Sequence, residues 1–206
     1  MKRDRNHAAS FIYQKFCENY GAIYRSEELM KRVAIIGSGG AGKSTLARQL
    51  GPILNIPATH LDAVYWQEGW VESPKDDWNQ TMRDLVDQET WILDGNYGGT
   101  IDVRLEAADT IIFLDLPRLI CVKRIIQRRI QYHNRTRPDM GPNCNERLNW
   151  VFLKWIWTYP AQRRPGILSK LHGYQERKQV VILRTPAEVK RFLNNVSGST
   201  KLSCAG

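Results

Sequence analysis

Gly37-Ser38-Gly39-Gly40-Ala41-Gly42-Lys43-Ser44 is the stretch that decides the fold, and it fits Gly-x4-Gly-Lys-Ser/Thr at every position. A run of branched apolar residues at 33–36 precedes it, and a helical pattern at 44–50 follows it. The motif therefore lies between a predicted strand and a predicted helix, where such a loop binds phosphate. The alternative is a glycine-rich turn that binds no ligand.

The residue types of this motif match the chemistry of a nucleoside triphosphate. Glycines let several backbone N–H groups approach phosphate oxygens, and the following helix presents its positive dipole end to the same anion. The Lys43 ammonium would bridge the β- and γ-phosphates, the Ser44 hydroxyl would bind Mg²⁺, and Thr45 would lie near the α-phosphate. We therefore predict ATP and Mg²⁺ as cofactors, with the nucleotide held by Gly37, Ser38, Gly39, Gly40, Ala41, Gly42, Lys43, Ser44 and Thr45.

Outward from this loop, short β-like runs alternate with longer helical patterns, which predicts a parallel sheet with helical crossovers. The predicted helices cover 75–88, 117–132 and 145–159. The fold class that we predict is α/β, a P-loop NTPase three-layer sandwich with a short helical, arginine-rich lid. Its five parallel strands are predicted at 32–36, 58–62, 90–94, 110–115 and 179–183.

Composition limits the classes of protein that this chain can be. Its 206 residues, 42% of them apolar, can build one sizeable core, and the net charge of +9 favours anionic partners. The longest apolar runs are far shorter than the roughly 18 residues of a membrane span, and we read no secretory leader. The four cysteines form no Cys-x-x-Cys pair, so we expect neither a disulfide framework nor a zinc site. A cytoplasmic protein without membrane contact is the expectation.

The two ends of the chain are predicted to lie outside the main domain, which we place at 31–196. Residues 1–30 are an extension because the first strand starts only at Arg32; either Met30 is the biological start or the extension is dispensable. Several acidic residues argue against a mitochondrial leader there. Residues 197–206 are expected to be a flexible tail.

The segment Trp91-Ile92-Leu93-Asp94-Gly95-Asn96-Tyr97 resembles the third-strand segment of adenylate-kinase-like nucleoside and nucleotide kinases. In that family the aspartate orients waters on Mg²⁺, so the resemblance implies a metal role for Asp94 together with Ser44. The continuation Asn96-Tyr97-Gly98 differs from the family's Phe-Pro-Arg.

The residues that follow resemble the same family's fourth strand and the helix that leads to its lid. The resemblance implies that Arg124 packs by the adenine and that Arg128 reaches the phosphates, one helical turn further on. The alternative is a solvated basic face, although 116–138 holds seven Lys or Arg and no acid before Asp139. We place the lid at about 133–145 and name Arg135 and Arg137 as arginines that stabilise the transferring phosphoryl group.

The acceptor side is predicted from His60-Leu61-Asp62-Ala63-Val64-Tyr65-Trp66. A carboxylate at the carboxyl end of the second strand lies in the crevice where such sheets bind ligands, so Asp62 could orient or deprotonate an acceptor hydroxyl. Tyr65, Trp66 and Trp70 form an aromatic wall in this interpretation and ordinary core in the alternative. His60 is interpreted as a packed neighbour, and Trp150 and Trp155 as core, with ligand stacking as the alternative for the two tryptophans.

Over 31–196 the sequence resembles most closely the bacterial DNA topology modulation proteins, members of the adenylate-kinase-like group. The resemblance is carried by 37–44, 61–66, 94–97, 135–140 and 152–157. The residues predict a monomeric or weakly dimeric ATP-dependent kinase that transfers the γ-phosphoryl group to a small hydroxyl- or phosphate-bearing acceptor, with Lys43, Asp62, Arg128, Arg135 and Arg137 as catalytic residues. The alternatives are a nucleotide-regulated DNA-binding protein with weak ATPase activity and a plain ATPase.

Overall fold

The computed structural model describes residues 30–203, with side chains described through residue 198. The predicted extension at 1–30, apart from Met30, and the last three residues lie outside the described part. Met30 is buried in the core directly before the first strand. No helix in the described part is both long enough and apolar enough to cross a membrane.

Strands and helices alternate along the described chain. The strands are β1 (Arg32–Gly37), β2 (Ala58–His60), β3 (Trp66–Gln67), β4 (Val71–Glu72), β5 (Trp91–Asp94), β6 (Thr110–Leu114) and β7 (Gln179–Leu183). The helices are α1 (Lys43–Leu54), α2 (Leu61–Tyr65), α3 (Lys75–Asp87), α4 (Ile101–Ala107), α5 (Arg118–Gln131), α6 (Trp150–Gln162), α7 (Arg164–Tyr174) and α8 (Pro186–Ser203).

A five-stranded parallel sheet with the order β2-β5-β1-β6-β7 forms the middle layer. The central strand β1 pairs with β5 on one side, Arg32 opposite Trp91, and with β6 on the other, Val33 opposite Thr110. The order reverses at β1, so the carboxyl end of this strand opens into the crevice where such sheets bind ligands. The predicted fold class is confirmed, and each of its five strands is present within two residues of the predicted bounds.

Alternate side chains of β1 build the two outer layers, as the pleat of a strand requires. Val33 and Ile35 pack in one core cluster, which includes buried residues of α1, α5 and α8. Ala34 and Ile36 pack in the other, with buried residues of α3, α4 and α7. The chain is therefore a three-layer sandwich with one core on each face of the sheet.

The second strand is shorter than the sequence predicts. β2 ends at His60, whose ring contacts Asp94, and Leu61 turns fully into the core. The backbone N–H of Trp66 then bonds to the Asp62 carbonyl at the end of the short helix α2. Asp62 therefore lies in the first turn of a helix after the strand, still at the carboxyl edge of the sheet.

The lid also differs from the prediction, because the described segment 132–149 contains no helix. Two isolated bridges, His133 with Glu146 and Thr136 with Asn145, join its two arms. Two prolines and two asparagines at positive φ interrupt any helical run there. The next helix therefore starts at Trp150 rather than 145, with the Asn149 side chain accepting from the Val151 N–H as its cap.

The carboxyl-terminal helix α8 runs to Ser203 and includes the first part of the predicted flexible tail. Buried Phe192 and Val196 dock this helix on the sheet up to the point where the predicted tail begins.

Candidate functional site

The glycine-rich loop joins β1 to α1 and packs tightly against α5. Gly40 has φ +76, and a Cβ built on it would lie 2.4 Å from the Cys121 carbonyl oxygen. A residue with a side chain fits neither the conformation nor the space, which is the reason for glycine here. Within residues 30–203, the backbone N–H groups of Gly39, Gly40 and Gly42 donate no hydrogen bond. These unbonded donors make the loop a ready cradle for an anion.

Lys43 supplies the positive charge of this loop. Its ammonium group donates to the carbonyl oxygens of Gly37 and Ser38, at 3.0 and 3.1 Å. Burial lowers the pKa of Lys43, and the negative charges of Asp62 and Asp94 act in the opposite direction. An ammonium has three hydrogens, so Lys43 can hold the loop and still donate to a phosphate.

The predicted magnesium ligands are brought together at the start of α1. The Ser44 hydroxyl donates to one carboxylate oxygen of Asp94 at 3.1 Å, and the His60 ring contacts the other oxygen. Asp94 is buried at the end of β5. A hydroxyl and a carboxylate oxygen beside a phosphate cradle are the ligand types that Mg²⁺ takes in such sites, so the residues fit this ion.

A separate metal centre is absent from the described side chains. No group of three or more His, Cys, Asp or Glu residues in that part of the chain is arranged to hold a metal ion. The pair Ser44 and Asp94 supplies two oxygen ligands beside the loop, which fits a metal that also binds phosphate.

Helix α5 faces the loop with the two predicted arginines. Arg124 donates to the Ala41 carbonyl at 2.8 Å and so lies against the loop itself. Arg128 forms an ion pair with Glu146, with distances of 3.0 Å from Nε and 2.9 Å from Nη2. Burial and the neighbouring Arg137 lower the pKa of Arg128, while Glu146 acts in the opposite direction.

The lid contributes Arg137 rather than Arg135 to the cavity. The Arg137 side chain is buried, and its Nη1 donates to Asp139 at 2.8 Å while Nε lies 2.7 Å from Glu146, close enough for an ion pair but not aligned as a hydrogen bond. Arg135 is exposed and does not line the cavity. Burial alone would raise the pKa of Asp139, but Arg137 and the Ser44 hydroxyl lower it below its ordinary value.

The acceptor side is built by residues that follow β2 and β5. The Tyr97 hydroxyl donates to Asp62 at 2.7 Å. Burial and the Asp62 carboxylate raise the pKa of Tyr97, so the phenol stays protonated and serves as a donor. Trp66 and Trp70 line the cavity with rings 5.4 Å apart. Tyr65 does not line it and packs on Trp78.

The tryptophans of α6 divide between two environments. Trp155 is half-buried, stacks on Phe152 and lines the cavity. Trp150 is 81% exposed, so the prediction that it is a core residue is wrong. The physical reason is the later start of the helix, which puts Trp150 in its first, outward-facing turn.

One cavity of about 780 Å³ joins the loop, the α5 arginines, the lid and the aromatic wall. Of the predicted site residues it brings together Gly39, Gly40, Gly42, Lys43, Ser44, Thr45, Asp62, Arg124, Arg128 and Arg137. Four others lie at its back: Gly37, Ser38 and Ala41 are part of the loop, and Asp94 contacts Ser44. A cavity of this volume accommodates a nucleotide together with a small second ligand.

Several residues of this site were not predicted from the sequence. Asp139 and Glu146 had a readable signal, because they are the only acids in 116–175, where twelve Lys or Arg occur. Asn96 had a weaker one as part of the Asp94 segment; its side-chain oxygen accepts from the Gly37 N–H at 3.1 Å. Arg104 had none, since nothing in the pattern of α4 marks it as buried.

Comparisons with known proteins add a fold-level likeness. No protein-family model and no curated protein matches the sequence. Among solved structures, the chain is similar to a gluconokinase from Sinorhizobium meliloti 1021, with 14% identity over 84% of this chain and 93% of that one, and a TM-score of 0.47.

Two further solved structures are similar at the same level. A sugar kinase from Janibacter sp. HTCC2649 has 15% identity over 83% of this chain and 98% of that one, with a TM-score of 0.46. A shikimate kinase from Bacteroides thetaiotaomicron has 15% identity over 84% and 97%, with a TM-score of 0.43. The resemblance to DNA topology modulation proteins stays a prediction.

Proposed function

We propose that this protein is an ATP-dependent phosphotransferase that acts on a small acceptor carrying a hydroxyl or phosphate group. The observation that carries the proposal is the convergence in one cavity of unbonded loop N–H groups, the Lys43 ammonium and three predicted arginines. Positive groups preorganised around one point are what phosphoryl transfer needs, because its transition state spreads charge over the phosphoryl oxygens.

On the donor side, the loop N–H groups and Lys43 bind the phosphates of ATP. Arg124 lies against the loop, and Arg128 and Arg137 stabilise negative charge on the transferring group. Ser44 and Asp94 are the residues that would hold Mg²⁺, which supplies further positive charge between the phosphates when bound.

On the acceptor side, Asp62 orients the nucleophilic hydroxyl and accepts its proton as the new bond to the γ-phosphorus forms, while the bond from that phosphorus to the β–γ bridging oxygen breaks and ADP leaves. Tyr97 donates to one carboxylate oxygen of Asp62 and so fixes the direction of the other. Trp66 and Trp70 supply an apolar wall for the body of the acceptor. A lid that closes over this space would keep water from taking the acceptor's place.

A second candidate function, nucleotide-regulated DNA binding, is favoured by one observation. Four cations of this region do not line the cavity: Lys123, Arg129, Arg135 and Lys154. Both carboxylates of 116–175 are buried. A surface of this kind attracts polyanions with a strong dependence on salt. A steep fall of DNA affinity with salt, retained when Arg137 is neutralised, would favour this candidate.

The testing experiment measures ATP consumption with Mg²⁺, alone and with a panel of nucleosides, nucleotides and hydroxylated metabolites. Acceptor-dependent turnover is expected, and Lys43→Ala should lower it by about 10³-fold or more while the protein still folds. Asp62→Asn should lower turnover and leave ATP affinity within about threefold. Lys75→Ala, on the exposed surface of α3, is the matched control. Unchanged turnover in Lys43→Ala would overturn the proposal.

A further inference from the structure

Arg104 on α4 is a buried cation without an acidic partner. Its side chain is among the largest in the protein that are fully buried, with 1% of the residue exposed. Among the described residues, no Asp or Glu forms an ion pair with it. Burying a charge without an opposite charge is costly, so the position of this guanidinium calls for a role beyond packing.

The guanidinium holds two consecutive carbonyl groups of the loop that follows β5. Nη1 donates to the Gly95 oxygen at 3.0 Å, and Nη2 donates to the Asn96 oxygen at 2.6 Å. Burial lowers the pKa of Arg104 to about 10, so the side chain still carries its charge at neutral pH. These charge-assisted hydrogen bonds hold the loop from its buried side.

The backbone of this loop needs such support. Gly95 has φ +147, and Tyr97 has φ +29, a conformation that a tyrosine rarely adopts. A strained backbone of this kind persists only where its surroundings hold it in place. Arg104 is the side chain that binds both of the carbonyls preceding Tyr97.

Three side chains of the segment 94–97, which is the last residue of β5 and the loop after it, face three different parts of the site. Asp94 accepts from Ser44 at the start of α1, Asn96 accepts from the Gly37 N–H at the end of β1, and Tyr97 donates to Asp62. A shift of the loop backbone would therefore disturb the metal, phosphate and acceptor sides together.

We propose that Arg104 is a positioning residue for phosphoryl transfer. It holds the segment 94–97 in place, and through Tyr97 of this segment it fixes the position of the Asp62 carboxylate. The inference rests on the proposed function, because it assigns Asp62 to the acceptor. Arg104 itself touches neither substrate, since it is buried and does not line the cavity.

The first test compares Arg104→Met and Arg104→Lys with Leu105→Ala, a buried neighbour on the same helix that faces the core. Leu105→Ala destabilises the fold but leaves both hydrogen bonds from Arg104 to the loop in place, and it is the control for a merely structural role. In Arg104→Met, kcat should fall about 30-fold at saturating acceptor, and the Kd for ATP should rise as well, because Asp94 and Asn96 move with the loop. Arg104→Lys, which keeps the charge but not the fork, should recover part of the loss.

The second test does not depend on turnover. Hydrogen exchange of the Gly37 amide, which is bonded to the Asn96 side chain, should speed up about tenfold or more in Arg104→Met. The Ile112 amide in the centre of the sheet should keep its protection in the same variant. Leu105→Ala should change neither selectively.

A double-mutant cycle with Tyr97→Phe completes the design. If Arg104 acts through Tyr97, the two losses of kcat are not additive, and the double variant is little worse than Arg104→Met alone. Additive losses, or unchanged exchange at Gly37, would overturn the inference. Absence of acceptor turnover in the unaltered protein would instead overturn the proposed function, while faster Gly37 exchange would still show that Arg104 holds the loop.

Discussion

The phosphate-binding loop and the lid that faces it across the cavity are built in opposite ways. The loop binds through backbone N–H groups that glycine exposes, and these groups belong to eight consecutive residues. The lid is held by side chains that are distant in sequence: Glu146 pairs with Arg128 on α5 and with Arg137 on the other arm.

The difference teaches which half of a site a sequence motif can encode. A backbone cradle is local, so its residues are contiguous and cannot be exchanged without steric cost. A lid assembled from ion pairs is non-local, and its buried carboxylates matter as much as its arginines, because each guanidinium would otherwise be buried unpaired.

The largest effect should come from Gly40→Ala, which disrupts the phosphate-binding loop, the half of the site that binds through its backbone. The new methyl group would meet the Cys121 carbonyl at 2.4 Å in a residue with φ +76, so strain and overpacking of about 1–3 kcal/mol each are expected. Affinity for ATP should fall about 100-fold or more, as measured by calorimetry. Gly99→Ala, where a Cβ meets nothing within 4 Å, is the matched control. Equal affinities in the two variants would contradict this interpretation of the loop.

A smaller effect should come from Glu146→Gln, which disrupts the lid, the half of the site that is held by side chains. The neutral amide leaves Arg128 and Arg137 without their shared charge partner, and the free energy of unfolding should fall by about 3 kcal/mol. Chemical denaturation measures this change. The control is Glu106→Gln, since that carboxylate is exposed and its ion pair with Arg177 is long, at 3.8 Å.

The same variant sharpens the comparison through its kinetics. Turnover should fall about tenfold because the lid arginines lose their fixed direction, whereas ATP affinity should stay within about threefold because the loop is intact. If Glu146→Gln weakened ATP binding as much as Gly40→Ala does, the two halves of the site would not be separable.

The smallest effect should come from pH, through the contact of His60 with Asp94. The hydrogen bond to Asp94 raises the pKa of His60 above its ordinary 6.5, against the opposing effect of burial. The folded state then binds this proton more tightly, so the stabilisation is complete below pH 6.5 and is lost as pH rises through the raised value. Without Mg²⁺, the stability advantage of the unaltered protein over His60→Gln should be larger at about pH 6 than at about pH 8.5. Thermal unfolding in two buffers measures it.

Much of the fold could be predicted because its elements have local signals. Branched apolar runs predicted the strands, the start signal Ser73-Pro74 predicted α3, and the hydrophobic period predicted most of α5. The lid and the start of α6 could not be predicted this way, since the periodicity of 145–159 ignores the Asn149 cap and the bridge that draws Asn145 to Thr136.

The site residues also differ in whether local sequence signals could predict them. Lys43 and Ser44 could be placed because they open a helix at a fixed offset after a strand, and Asp94 because its segment resembles that of adenylate-kinase-like kinases. The roles of Tyr97 and Arg104 could not, because they depend on contacts across the layers: a hydroxyl to Asp62 and a buried guanidinium to two carbonyls. Such contacts are a property of the folded chain, and no spacing in the sequence encodes them.

The central place of β1 also constrains when the protein can fold during synthesis. This strand is made before its neighbours β5 and β6, and contacts at its two ends join it to Asn96 and Asp109, 59 and 77 residues further along the chain. Loops of that length close slowly, and a nascent chain lacking β6 has a bare central strand edge. The nucleotide cradle is thus encoded early but acquires its shape late, after β6 has left the ribosome.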